Sequence, residues 1–208
     1  MQKFLTILAI GFLTCGVSNA VGQSASGEDI YLPEPTRSGG KPVMDAISER
    51  GSAREFADQP LDAQTLSDIL WSAWGFNREG KRTVPSAHNR QEMEVYVILA
   101  QGAYKYDATK NALILVAKGD FRKDAGTQEY VHDAPLNIIY VGTAEPAKRH
   151  FSFVTAGCAV ENVYLYAASK GLACVVRASF SEDALKKTLN LSDNAQVMLG
   201  QTVGYPQK

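Results

Sequence analysis

Two guanidinium groups and a hydroxyl group occur within five consecutive residues of the sequence, at Arg50, Ser52 and Arg54. Guanidinium groups match phosphate oxygens in a bidentate geometry, and a serine hydroxyl adds a further donor. Gly51 lets the backbone approach a ligand closely. This pattern indicates an anion site at the end of a short helix, although a solvated basic turn has the same composition.

A second polar segment, residues 83–91, directly precedes an apolar stretch that alternates as a strand does. The segment carries hydroxyl, amide and guanidinium groups. The amides of Asn89 and Gln91 have both donor and acceptor atoms, so they can bind the edge of a planar heterocycle. The alternative interpretation is a polar loop whose side chains stabilise its own turns.

The sequence lacks the motifs of several kinds of catalytic site. There is no Gly-x-Gly-x-x-Gly, Walker A or Gly-x-Ser-x-Gly motif, which argues against a dinucleotide-binding Rossmann domain, a P-loop enzyme and a serine hydrolase. His88, His132 and His150 are too scattered for metal-ligand spacing, so no metal is predicted. The formal net charge of −1 favours neither nucleic acid nor an acidic membrane surface as a partner.

The N-terminal residues predict export. Lys3 precedes a short apolar run, and small residues end at Ala20, which is typical of a secretory signal peptide over residues 1–20. The protein is therefore expected to be periplasmic or secreted, with no membrane span. A lipoprotein anchored at Cys15 is the less favoured alternative, because Thr14 stands where Gly or Ala is expected.

One domain is predicted over residues 41–208, after a flexible leader over residues 21–40. The leader is rich in Ser, Gly and Pro, and the remaining length suits a single core. Export permits a disulfide between Cys158 and Cys174. A predicted helix, however, holds the two thiols further apart than the roughly 7 Å that a bridge can span, so free thiols are expected.

Hydrophobic periodicity predicts alternating helices and strands with hairpins among them. The predicted helices are a short one ending near Arg50, one from a cap at Asp62 to Trp74, one over 152–170 and one capped by Ser181. A loop is expected over 76–86. The predicted strands are 93–99, 103–106, 112–117, 136–141, 173–176 and 197–203. The pattern indicates an α+β sandwich with a mostly antiparallel central sheet flanked by helices.

Five segments, in order, resemble the nitroreductase superfamily of FMN-dependent enzymes. Residues 50–56 resemble its Arg-x-Ser-x-Arg/Lys-x-Phe motif, and residues 85–91 its Pro-Ser-x-x-Asn-x-Gln segment. The others are the long helix over 156–168, Gly171-Leu172 with the strand that follows, and the closing Gly204-Tyr205-Pro206. The segments 76–83 and 95–107 are similar to one branch, the azoline-oxidising dehydrogenases.

This resemblance implies non-covalent FMN that contacts both subunits of a homodimer. Arg50 and Ser52 would hold the phosphate and ribityl end, Arg54 and Asn89 the pyrimidine edge, and the strand end after Val176 would run beside the ring. The residues implied to bind FMN are Arg50, Gly51, Ser52, Arg54, Pro85, Ser86, Asn89, Gln91, Val176, Ala178, Ser179 and Lys208.

The resemblance also implies ping-pong hydride transfer to a small nitroaromatic or quinone-like acceptor. Because the usual donor NAD(P)H is scarce outside the cytoplasm, a flavin-dependent substrate dehydrogenase is an alternative. A non-catalytic FMN- or ligand-binding module is another, since Glu161, Ala178 and Ser179 depart from the residues common in the family. Trp71, Trp74 and Tyr130 are candidates for the substrate opening, although both tryptophans also suit a core.

Overall fold

The computed structural model describes residues 28–207. The predicted signal peptide, Cys15 and Lys208 lie outside these residues. The helices are α1 (Val43–Glu49), α2 (Ala63–Trp74), α3 (Arg122–Ala125), α4 (Glu129–Asp133), α5 (Arg149–Lys170) and α6 (Glu182–Thr188). The strands are β1 (Ile30–Tyr31), β2 (Phe76–Arg78), β3 (Lys81–Arg82), β4 (Met93–Leu99), β5 (Gly102–Asp107), β6 (Ala112–Lys118), β7 (Leu136–Gly142), β8 (Ala173–Arg177) and β9 (Gln196–Gly204).

Seven of these strands form the central sheet, in the order β1-β6-β5-β4-β7-β9-β8. Every pair of neighbours in it is antiparallel. The longest ladder joins β7 to β9, from Leu136 opposite Val203 to Gly142 opposite Gln196. The predicted α+β sandwich with an antiparallel sheet is therefore confirmed.

Helices cover both faces of the sheet. The apolar sides of α2 and α5 pack on one face, in a core that includes Ile69, Val97 and Val163. The short helices α3 and α4 pack with α6 on the other face, around Ile139 and Leu185. Both faces of β4 are covered, so all of its residues except Glu94 are buried. No helix in the described part of the chain is long and apolar enough to span a bilayer.

The helix ends follow the signals in the sequence. The Asp62 carboxylate accepts a hydrogen bond from the Thr65 backbone N–H at 2.8 Å, and the Ser181 hydroxyl accepts one from Ala184 at the start of α6. Gly171 ends α5 in the left-handed conformation, with φ of 69°, which glycine adopts without steric cost. The predicted caps at Asp62 and Ser181 are confirmed.

Two segments differ from the sequence expectation. Residues 28–40, expected as flexible leader, lie on the domain: β1 pairs with β6, and the Thr36 N–H donates to the buried Asp68 carboxylate at 2.7 Å. The expected loop 76–86 contains the β2–β3 hairpin, because the Arg82 guanidinium lies against the rings of Trp74 and Phe76. In both segments, contacts with residues distant in the sequence determine the local structure.

The Asp62 cap predicts a pH-dependent contribution to stability. Burial raises the Asp62 pKa, but hydrogen bonds from Thr65 and Tyr205 outweigh burial and leave the pKa below its usual value. The charged form is therefore favoured in the fold. Its stabilisation is present above the unfolded-state pKa of about 4 and is lost as pH falls through the lower folded-state pKa.

We expect Asp62→Ala to lower the free energy of unfolding by about 1 kcal/mol at neutral pH. The difference from wild type should shrink as the carboxylate protonates in acid, which urea unfolding at a series of pH values measures. Ser181→Ala removes an uncharged cap and is the control, with a cost that stays constant with pH. A pH-independent cost at Asp62 would contradict this account.

Candidate functional site

The segment that carries Arg50 and Ser52 is fixed to the strand and helix beside it. Arg50 ends α1, where its N–H donates to the Ala46 carbonyl. Three residues further on, the Ala53 N–H donates to the carbonyl of Cys174 in β8 at 2.9 Å. Phe56 then forms an isolated bridge with Pro206 near the C-terminus. The backbone of this segment is therefore fixed along its length, which limits the positions of its polar side chains.

The hydroxyl of Tyr164 joins two of the predicted site segments. It lies 2.8 Å from the Ser52 hydroxyl, and it accepts a hydrogen bond from the Val176 N–H at 2.9 Å. The Tyr164 side chain projects from α5 and is only 3% exposed. Tyr164 is not among the site residues that the sequence predicts. Nothing in the helical spacing distinguishes this tyrosine from a core aromatic.

Arg50 lies over the same ring, with its guanidinium carbon 4.3 Å from the ring centroid of Tyr164. Its Nε is 4.0 Å from a carboxylate oxygen of Glu161, beyond hydrogen-bond distance. That Nε is buried and has no hydrogen-bond partner within the chain. At Gly51, an added Cβ would meet only one backbone oxygen, at 4.0 Å. The structure thus leaves an unused donor and open space side by side.

The end of β8 lies close to this cluster through Val176, which is half-buried, while Ala178 and Ser179 are exposed. The Ser179 hydroxyl is 2.7 Å from the Thr127 hydroxyl, so the strand end is tied to the connection between α3 and α4. Arg54 is exposed as well. Arg50, Ser52 and Val176 are therefore brought together, with Arg54, Ala178 and Ser179 on the adjoining surface.

The segment 85–91 has an unusual backbone. His88, Asn89 and Gln91 have φ values of 51°, 56° and 54°, in the left-handed region that non-glycine residues occupy at a cost of order 1 kcal/mol each. The Ser86 hydroxyl accepts from the Gln91 N–H at 3.1 Å and helps to hold this conformation. Pro85, which precedes it, is exposed.

The amides of this segment are directed to the β2–β3 hairpin. Asn89 Nδ2 and Gln91 Nε2 both donate to the carbonyl of Gly80, at 3.2 and 2.9 Å. Gln91 Oε1 accepts from Arg82 Nε at 2.8 Å. Gln91 is thus occupied at both ends of its amide. Asn89 is exposed, and its Oδ1, which accepts from Gln91 Nε2 at 3.3 Å, can accept one further hydrogen bond.

The two predicted segments contact different parts of α5. Residues 86–92 pack near Ser152 and Thr155, and the Asn162 amide donates to the Thr83 carbonyl at 3.4 Å. Tyr164, which contacts Ser52, is two residues beyond Asn162 and so lies about 200° around the helix from it. Within one chain, the structure therefore does not bring the Arg50 cluster together with residues 85–91.

Two buried side chains near the site have no assigned role in the sequence analysis. Arg177, 6% exposed, donates to Asn137 Oδ1 at 2.8 Å, and burial lowers its pKa to about 10. It fits because Gly200 has no side chain: a Cβ there would lie 1.7 Å from Arg177 Nη1. Burial raises the pKa of the free Cys174 thiol to about 12, so it is not a thiolate nucleophile at neutral pH.

The aromatic candidates for a substrate opening have different environments. Trp74 is 3% exposed and belongs to the core, as one of its two interpretations held. Trp71 is half-buried, and its indole N–H donates to the Phe76 carbonyl. Tyr130 is half-buried, with its ring centroid 6.0 Å from that of Phe56. Residues 28–207 contain no group of three or more His, Cys, Asp or Glu placed to hold a metal.

The matches to known proteins all indicate the same family. The sequence profile of the nitroreductase family matches residues 47–205. A solved structure from Ralstonia eutropha JMP134, provisionally named a nitroreductase, superposes with a TM-score of 0.83 at 39% identity, over 91% of this chain and 94% of that one.

Curated relatives agree with this match. A protein of Methanocaldococcus jannaschii, also provisionally named a nitroreductase, is 28% identical over 73% of this chain and 85% of its own length. The nitrobenzene nitroreductase of Ectopseudomonas oleovorans is 24% identical over 78% of this chain and 86% of its own length. The chain belongs to the nitroreductase family of oxidoreductases.

Proposed function

We propose that this enzyme binds FMN at the interface of a homodimer. We further propose that it transfers hydride in a ping-pong sequence to a small electrophilic acceptor of the nitroaromatic or quinone type. The family generally uses a flavin, and FMN is proposed because Arg50 and Ser52 offer donors to a phosphate. The observation that carries the proposal is the buried, unpartnered Nε of Arg50, which lies beside the Ser52 hydroxyl cluster and the open space at Gly51.

Arg50 and Ser52 are the proposed ligands of the FMN phosphate and ribityl end. A charged donor without a partner is costly when buried, and a phosphate group would satisfy it by accepting two parallel hydrogen bonds from the guanidinium. The ring of Tyr164 beneath the guanidinium holds it in place. Glu161, within 4.0 Å of Arg50, limits how many negative charges the site accepts.

The proposed ring contacts come from the strand end and from the segment 85–91. Arg54 and the backbone after Val176 adjoin the Arg50 cluster and would orient the pyrimidine side. Asn89 remains a proposed ligand, with Pro85 and Ser86 beside it. We propose that Gln91 positions Asn89, since its own amide binds Arg82 and Gly80. When bound, FMN supplies the two-electron chemistry, and these residues supply orientation and electrostatics.

Two observations support the proposed homodimer. The Arg50 cluster and residues 85–91 are not brought together within one chain. Within residues 28–207, seven large apolar side chains are exposed, and six of them lie on α1 and on the first turns of α5: Val43, Met44, Ile47, Phe151, Phe153 and Val154. Exposed apolar groups of this kind mark interaction surfaces. We propose that a second copy covers them and places its own residues 85–91 at the FMN site.

Export to the periplasm or the exterior remains part of the proposal. It rests on residues 1–20, which precede the described residues. The electron donor is then either NAD(P)H, which is scarce outside the cytoplasm, or another reductant of that compartment.

The first test is the visible absorption spectrum of the protein after incubation with FMN and gel filtration. We expect flavin bands at about one FMN per chain, and bleaching of these bands by an added donor under argon. Arg50→Ala should weaken FMN binding by roughly 1.5–3 kcal/mol, which is roughly a 10- to 150-fold rise in Kd. Arg37→Ala, at an exposed arginine elsewhere, is the matched control. Unchanged FMN affinity in Arg50→Ala would exclude its proposed role.

A second prediction concerns Tyr164. Tyr164→Phe keeps the ring under Arg50 but removes the hydroxyl that binds Ser52 and the Val176 N–H. We expect roughly tenfold weaker FMN binding, together with a loss of stability, because a buried N–H is left unpaired. Tyr166→Phe is the control on the same helix, since its hydroxyl binds Asp68 instead. The positioning role fails if both variants lose stability equally and neither loses FMN affinity.

A third prediction concerns the dimer. Val154 is 66% exposed, so Val154→Glu leaves the fold of one chain intact but places a charge in the proposed interface. We expect sedimentation equilibrium to show a dimer for wild type and a monomer for the variant, with loss of bound FMN. Tyr31→Glu, at an exposed residue on the edge strand β1, should remain dimeric. A wild-type monomer that binds FMN stoichiometrically would refute the shared site.

A further inference from the structure

A cleft of about 620 Å³ lies between the β2–β3 hairpin and the segment 83–89. Clefts of this size hold small organic ligands. The proposed FMN ligands Pro85, Ser86 and Asn89 form one wall of it, and the hairpin forms the other. The lining residues are Asn77, Arg78, Lys81, Arg82, Thr83, Val84, Pro85, Ser86, His88 and Asn89.

The lining of the cleft is cationic. Arg78, Lys81 and Arg82 contribute three positive charges, and none of the ten lining residues carries a carboxylate. The hydrogen-bond acceptors of the Arg78 and Arg82 side chains are neutral oxygens. The nearby acids are Glu79, in the turn of the hairpin, and Asp107, whose charge acts on Arg82. A protein with a net charge of −1 thus concentrates positive charge at one concave surface.

The hairpin is fixed relative to the segment it faces. The Gly80 carbonyl accepts from Asn89 and Gln91, and Arg82 donates to Gln91 Oε1 and to the Trp74 carbonyl. Arg82 is therefore an anchor whose guanidinium is already engaged. Arg78 and Lys81 are exposed, and their charged groups are available to a ligand. The cleft is a preorganised surface and not a solvated loop.

We infer that this cleft binds the anionic group, a phosphate or carboxylate, of the organic molecule that exchanges electrons with the flavin. Arg78 and Lys81 bind the anion, and the hydroxyls of Thr83 and Ser86 provide further donors. The inference rests on the proposed function, because that proposal places residues 85–89 of one copy beside the flavin. The FMN phosphate is assigned elsewhere, to the Arg50 cluster on another side of α5.

The direct test measures binding of inorganic pyrophosphate to the FMN-loaded protein by calorimetry at low salt. We expect wild type to bind pyrophosphate and the double variant Arg78→Gln, Lys81→Gln to bind it at least roughly tenfold more weakly, since two charged donors are lost. Lys186→Gln, Lys187→Gln removes the same charge from α6 and should bind as wild type does. Equal affinity in the Arg78/Lys81 variant and wild type would overturn the inference.

Steady-state kinetics then identifies the source of the anion. If the cleft binds a phosphate of the donor, the KM for NADPH rises about tenfold or more in the Arg78/Lys81 variant. If it binds a carboxylate of the acceptor, the KM for 4-nitrobenzoate rises and that for neutral nitrobenzene does not. Either result supports the inference, and unchanged KM values for all three compounds overturn it.

The FMN content of each variant separates this inference from the proposed function. Wild-type protein that never retains FMN defeats the proposed function. A variant with full FMN and unchanged pyrophosphate affinity defeats only the cleft assignment. Pyrophosphate that binds apoprotein and is displaced by FMN would assign the cleft to the FMN phosphate and likewise overturn the inference.

Discussion

The hydroxyl of Tyr164 is the contact on which the geometry of the candidate site depends. It is buried under Arg50, and it satisfies the Val176 N–H while it binds the Ser52 hydroxyl. Its position is set by the packing of α5 on the sheet, where Val160 and Val163 are core residues. Since an unpaired N–H in this place would destabilise the fold, the core and the polar site constrain one another. The proposed phosphate end is therefore as rigid as the helix that supports it.

The sequence predicts the main elements because their signals are local. Asp62, Ser181 and Gly171 set helix ends through contacts within a few residues, and the strands alternate or run apolar over their full length. The β2–β3 hairpin has neither signal. It is short and polar, and it forms because Arg82 contacts the rings of Trp74 and Phe76 and the amide of Gln91. Such contacts join residues whose proximity no periodicity reveals.

The candidate site likewise has a part that the sequence predicts and a part that it does not. Arg50 and Ser52 are near in sequence, so the sequence offers an anion site there beside the alternative of a solvated basic turn. The directions of the Asn89 and Gln91 amides depend instead on three left-handed backbone residues and on the Gly80 carbonyl. Arg177 depends on the absence of a side chain at Gly200 in the neighbouring strand. A sequence motif does not show where a side chain lies when its position depends on backbone that is distant in the sequence.

In the proposed homodimer, the position of α5 between the two polar segments would link cofactor binding to assembly. If FMN needs the Arg50 cluster of one copy and residues 85–91 of another, the free chain has only half of the site. FMN then binds the dimer and not the monomer, so each stabilises the other by mass action. Dilution should release FMN, and removal of FMN should weaken the dimer. The exposed apolar residues of α1 and α5 are consistent with a second copy covering this face.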